Sequence, residues 1–269
     1  MKKLISVLAV SSLVFLLAAC SSLGGAQGTQ KKMTAGDLLD KSQEAMDNSL
    51  KAVRSHIVFD DYAVTVYDGD IENNVKSGVK FDMKVEAFLD PAKVHLQSQV
   101  APRGVKAYKM DVYQVGDRVF VTDEHKNEWD ELSSGSVEEL FGSLVAEAYP
   151  ILDVSKFKEF EDEFVLEPIE YGYALRLTLD RDGFKRFKKL FPDIGPREDG
   201  FNIVDKLDLV ITFNKSTSYV TSFKMSSDMR NYRDGNSYRS RQKLNATYSY
   251  FNDIEDFKLP KDVRDLAAE

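Results

Sequence analysis

Val79-Lys80-Phe81-Asp82-Met83-Lys84-Val85-Glu86-Ala87 puts apolar side chains at odd positions and charged ones at even positions. A strand shows successive side chains to opposite faces, so this stretch has one face for a core and one for water. The same period runs on. Val94, Leu96, Ser98 and Val100 alternate with Lys93, His95, Gln97 and Gln99, after a turn at Asp90-Pro91. Tyr108 to Tyr113 and Arg118 to Thr122 follow, joined by a hairpin at Gly116-Asp117, and then Glu128 to Leu132. Further strands are predicted near 159–167, 171–179, 203–214, 217–230 and 236–251, with turns at Asn214-Lys215 and Asp234-Gly235-Asn236.

Three segments break this period. Thr34 is a helix N-cap with Asp37 three residues on, and Leu38, Ala45, Met46, Leu50 and Val53 recur at helical spacing, predicting a helix over 35–53. Ser136 with Glu139 forms a capping box ahead of Val137, Leu140, Phe141, Leu144, Val145 and Ala148. Asp180 starts a third helix, basic on one face, to about Leu190. Consecutive strands joined by short turns are antiparallel. The expected fold is α+β: a single strongly curved antiparallel β-sheet of about eleven strands, a half-barrel, with the helices packed in its concave face.

Composition narrows the function. The formal charge of −8 offers no bulk attraction to nucleic acid, so no nucleic-acid partner is expected. A single cysteine excludes an intrachain disulfide and any multi-cysteine metal site. His56, His95 and His125 lie far apart, so no metal site and no cofactor are expected, and His95 falls on the polar face of its strand as a solvated side chain. Asp60-Asp61 and Asp68-Gly69-Asp70 suggest calcium, but the second run has Val79 where an EF-hand needs glutamate, and it reads as a solvated hairpin turn. There is no nucleophile elbow, phosphate-binding loop or dinucleotide fingerprint, so no catalytic residues are nominated and no enzymatic activity is expected. Arg230, Arg233, Arg239 and Arg241 flank Asp234-Gly235, with Tyr232 and Tyr238 between them. They suit lipid phosphates or an anionic wall polymer. An edge hairpin kept soluble by charge is the preferred account.

The first residues are an address. Lys2 and Lys3 precede an apolar run from Leu4 to Leu17, too short for a spanning helix, which needs about 20 apolar residues. Leu17-Ala18-Ala19-Cys20 resembles the lipobox of bacterial lipoproteins. The resemblance implies a signal peptide over 1–19, cleavage before Cys20 and a diacylglycerol on its thiol. Residues 20–33 then read as the lipidated cysteine and a flexible tether, small and polar in composition, leaving 34–269 as one domain.

One helix, then about eleven antiparallel strands with helices inserted midway, resembles the LolA/LppX-like bacterial lipoprotein superfamily. Tyr113-Gln114-Val115-Gly116-Asp117-Arg118-Val119-Phe120-Val121 followed by Glu128-Trp129, and the tail Phe257-Lys258-Leu259-Pro260-Lys261-Asp262-Val263, are most similar to an uncharacterised group of Gram-positive lipoproteins. The resemblance implies an extracytoplasmic protein, lipid-anchored to the outer face of the cytoplasmic membrane in a Gram-positive host. It also implies a cavity that accepts a lipid or acylated ligand. Candidate lining residues are Phe81, Met83, Val85, Tyr108, Met110, Leu175, Leu177, Leu209, Ile211, Phe213 and Tyr248, with Leu207 and Tyr250 beside them. Two readings of these residues stand. In one they line a ligand cavity, and the protein binds or transfers an amphiphile. In the other they fill an ordinary core, and the protein is an envelope interaction or structural lipoprotein with a protein partner.

Overall fold

The computed structural model describes residues 32–67, 70–125, 128–132, 137–191, 203–233 and 236–268. The signal segment, Cys20 and the tether up to residue 31 lie outside them, as do Ser136 and the turns at Asp68-Gly69 and Asp234-Gly235. Twelve strands form one sheet: β1 (Ala52–Tyr67), β2 (Asp70–Ser77), β3 (Val79–Leu89), β4 (Ala92–Pro102), β5 (Tyr108–Val115), β6 (Arg118–Asp123), β7 (Asp130–Glu131), β8 (Val165–Ile169), β9 (Gly172–Leu179), β10 (Ile203–Asn214), β11 (Val220–Arg233) and β12 (Asn236–Ser249). The order is β7-β6-β5-β4-β3-β1-β12-β11-β10-β9-β8. The first long strand and the last one pair at the centre. The ends, β7 and β8, do not meet, so the sheet is open.

β1 is long enough to serve two partners on one side. Its first half pairs with β3 and its second half with β2. Gly78 makes the changeover between those two strands. Its φ is +131, and a Cβ there would sit 2.1 Å from the backbone oxygen of Asp61, so only glycine fits.

The alternation read from the sequence decides what each face does. Val53, Ser55, Ile57 and Phe59 of β1 are buried on one face, with Phe81, Met83, Val85 and Ala87 of β3 beside them. The register carries this face across the molecule. Tyr108, Val100, Phe81, Phe59, Leu244 and Met225 are cross-strand neighbours in turn, and the row continues to Leu209 and Leu177. It crosses eight strands without a charged residue.

Helical pieces share one hydrophobic cluster with that face. α1 (Ala35–Ser49) starts at the expected capping box: Thr34 Oγ1 accepts from Asp37 N–H, and the Asp37 carboxylate accepts from Thr34 N–H. It stops at Leu50, not at 53, because Val53 belongs to the period of β1. The Asn252 side chain fixes the junction, accepting from Lys51 and Ala52 and donating to Ser49. The helix expected after Ser136 is two short ones, α2 (Val137–Phe141) and α3 (Ser143–Glu147). Gly142, with φ 80, separates them. The strand expected over 159–167 is corrected: Val154–Phe160 is a 3-10 helix, and β8 begins only at Val165. Phe157 and Phe160 lie three residues apart and point together into the core. α4 (Arg181–Leu190) follows its Asp180 cap as read and buries Phe184 and Phe187.

The tail adds an element that the strand pattern does not announce. α5 (Lys261–Ala268) packs Val263 against Tyr113 and Phe120, which project from the face opposite the main core. Helical cover is therefore not confined to one side of the sheet.

Candidate functional site

The candidate cavity residues all project from the core face except where noted. Phe81, Leu177 and Leu209 sit in the row just described, beside Tyr108 at its end. Met110, Met83, Ile211 and Leu175 belong to the next row, joined through Ser98, Ile57, Ala246 and Phe223. Val85 and Tyr248 flank Ser55 in a third. Phe213 lies between Tyr173 and Val220 as their cross-strand neighbour. Met83, Val85, Leu175 and Ile211 are wholly enclosed by protein atoms, whereas Tyr108 and Met110 are only partly buried. Phe141 of α2 stands edge-on over Phe81, with ring centroids 5.2 Å apart, and Phe81 stacks on Phe59 at 6.1 Å. Tyr248 Oη donates to Ala148 O at 2.9 Å, and burial pushes its phenol far above the usual range. Tyr250 lies beyond the end of β12, exposed, with Arg54 4.5 Å above its ring; it is outside the core.

Two residues along from the Phe59–Leu244 pair the core face turns polar. Asp61 of β1 is paired with Gln242 of β12, and Gln242 with Ser227 of β11. Ser227 is in turn beside Leu207 and that residue beside Leu179, so the polar row abuts apolar surface on one side. Ser240 Oγ donates to Asp61 Oδ1 at 3.3 Å. The Gln242 side-chain oxygen and the Ser227 hydroxyl are buried without a hydrogen-bond partner. In the sequence Asp61 stands out only as half of the acidic pair Asp60-Asp61. The usable signal was that it continues the core-facing series Val53, Ser55, Ile57, Phe59.

Burial pushes the Asp61 carboxyl above the usual carboxylate range, opposed by hydrogen bonds from Ser240 and Gln242. A carboxyl raised by folding helps the fold at acid pH, and that help is lost as pH climbs from about 4 through the folded value. Asp61→Asn, neutral throughout, is therefore expected to melt above the wild type at pH 7, with the gap closing toward about pH 4. Thermal unfolding over that range checks this. A variant that melts lower at pH 7 would make the carboxylate a stabilising acceptor instead.

The opposite face is charged and internally paired. His95 corrects its expected solvation: its side chain is only 18% exposed, bonded to Asp111 at 3.0 Å and stacked on Tyr113 at 4.3 Å. Phe257 of the tail packs over both rings, and Lys93 lies above Phe257 while bonding Asp256. A shallow depression beside them is lined by Arg54, His56, Lys84 and Glu86. There Arg54 meets Glu86 and His56 meets Asp82, exposed pairs that contribute little stability. The arginine hairpin is also corrected. β11 as far as Arg230 and β12 are flanked by strands on both sides, and Arg239 and Arg241 both bond Asp228, whose carboxyl they hold below its usual range. Among the described residues, no three His, Cys, Asp or Glu side chains group as a metal site.

The fold is thus one open antiparallel sheet of twelve strands with an apolar face, a polar face and short helices. The chain belongs to the family of unknown function DUF6612, whose model matches residues 34–268. No curated protein matches it. Among solved structures, LprF from Mycobacterium bovis is similar over 85% of this chain and 96% of its own, at 11% identity and a TM-score of 0.41. A beta-barrel-like protein of the domain of unknown function DUF1849 from Brucella abortus is similar over 74% of this chain and 99% of its own, at 10% identity and a TM-score of 0.23. Similarities this low bear on neither ligand nor activity.

Proposed function

We propose that this chain is an extracytoplasmic lipoprotein, anchored through Cys20, whose sheet curves around its helices and holds the acyl chain of an amphiphile. One observation carries the reading: the apolar row crossing eight strands is flanked, toward the hairpin side of β1 and β12, by a partly exposed polar row. That gradient matches a molecule with a tail and a head. The described cover over this face includes separate short pieces, two of them five residues long and divided at Gly142. An acyl chain would enter where Phe141 rests on Phe81. Each methylene it buries contributes about 0.8 kcal/mol, so a tail of modest length offsets the contacts it displaces. Among the described residues no helix is long and apolar enough to cross a membrane, and the proposal assigns attachment to the lipid on Cys20. It assigns the chain no reaction.

Every described helix and strand lies in one compact unit that starts at Met33, so the chain from residue 21 retains the whole fold. Titrating it with a polyene fatty acid whose fluorescence rises in apolar surroundings tests the reading. Saturable binding near one per chain, displaced by unlabelled acylglycerol, is expected. A signal that never saturates would favour the filled-core alternative, for which the enclosed Met83, Val85, Leu175 and Ile211 speak.

A further inference from the structure

We propose that Asp61, Gln242 and Ser227, with Ser240, form the subsite for the head of a neutral, hydroxyl-bearing amphiphile such as a monoacylglycerol; this rests on the core face accepting an acyl chain. The register puts the three on adjacent central strands, facing the same way as the apolar rows. Phe59, Leu244 and Met225 lie two residues deeper, about 7 Å along each strand. A head at the polar row therefore leaves its tail on Phe59 and Phe81.

The chemistry of the row selects the head. Ser227 is 5% exposed and its hydroxyl has no partner; the Gln242 oxygen is buried and has none either. A buried polar group left unpaired costs about 1–3 kcal/mol, so the row has standing capacity for hydrogen bonds. An amide oxygen and a carboxylate accept only, and a serine hydroxyl accepts as well. What satisfies such a set is a group of donors. Adjacent hydroxyls supply donors and, unlike an ammonium, bring no second ion to be stripped of water in a largely buried row. A phosphate or carboxylate head brings acceptors and a like charge against Asp61, and it would bind more weakly.

Three amphiphiles with one tail decide it, each titrated into the chain from residue 21 by calorimetry at pH 7: monooleoylglycerol, oleoyl lysophosphatidic acid and oleylamine. Monooleoylglycerol is expected to bind about tenfold tighter than lysophosphatidic acid, the effect of one buried polar mismatch. Gln242→Leu is expected to weaken monooleoylglycerol about tenfold while leaving oleylamine little changed. Asp61→Asn is expected to strengthen lysophosphatidic acid and so narrow the discrimination. Thermal unfolding of both variants shows that they fold. Equal binding of all three by the wild type, or tighter oleylamine, would overturn the head assignment and leave the acyl-chain reading intact. Discrimination unchanged in both folded variants would overturn it too. Binding of none of the three would instead sink the acyl-chain reading and this proposal with it.

Discussion

Phe157→Ala is expected to destabilise the fold by about 3–5 kcal/mol, the loss typical of an enclosed phenylalanine. Phe157 is wholly buried in the 3-10 helix. Its ring lies 5.6 Å from Phe191, 5.8 Å from Phe223, and 6.4 Å from both Phe164 and Phe187. The side chain thus joins the 3-10 helix, the α4 region and β11 at one point. Removing it leaves a void walled by rings held on different elements, which cannot all collapse into it. Against a typical total of about 5–15 kcal/mol, that is a large fraction, and the midpoint of thermal unfolding should fall by roughly 10 °C. Lys84→Ala, on the polar face, should change stability by no more than about 0.5 kcal/mol. Chemical denaturation of both variants checks the contrast. A loss below about 1 kcal/mol at Phe157 would mean that this end of the core is already loose, and would move the proposed acyl site toward it.

Cys20→Ala is expected to abolish acyl labelling of the protein and to leave residues 1–19 attached, so that cells accumulate only precursor. The thiol is the sole attachment point that the sequence offers, because the chain holds one cysteine. Two acyl chains at about 0.8 kcal/mol per buried methylene anchor a protein stably, and the acidic chain has no electrostatic substitute for them. Intact mass and metabolic labelling with a fatty acid read the result. A variant cleaved and located like the wild type would refute the lipobox assignment.

Local patterns gave the long strands, and long-range contacts decided what they missed. The Thr34–Asp37 cap and the Asp180 cap were legible because each is made within one turn. The far end of α1 was not, since Leu50 and Val53 satisfy helical spacing while Val53 also opens the strand series of β1. The 3-10 helix at 154–160 depends on its neighbours: Lys158 bonds Asp40 of α1, and Gln43 accepts from Val154 N–H. α5 is eight residues long with one buried side chain, too short a period to stand out, though Pro260 and Asp262 mark its start. His95 was placed on the correct face, but the ring that covers it is Phe257, far along the chain. Of the polar row, only the facing of Asp61 was legible, from the β1 alternation; its assembly was not, for the same reason. Asp61 and Gln242 become neighbours only through the β1–β12 pairing, and no spacing in the sequence announces that register.

Native mass spectrometry of the protein purified without detergent from the cells that produce it, after release from its anchor, tests the central claim most directly. The account predicts added mass beyond the polypeptide, lost on solvent extraction and matching a neutral acyl lipid with a hydroxylated head. A polypeptide of bare mass, unchanged after incubation with lipid extracted from the same envelope, would contradict it and leave a filled core whose partner is a protein.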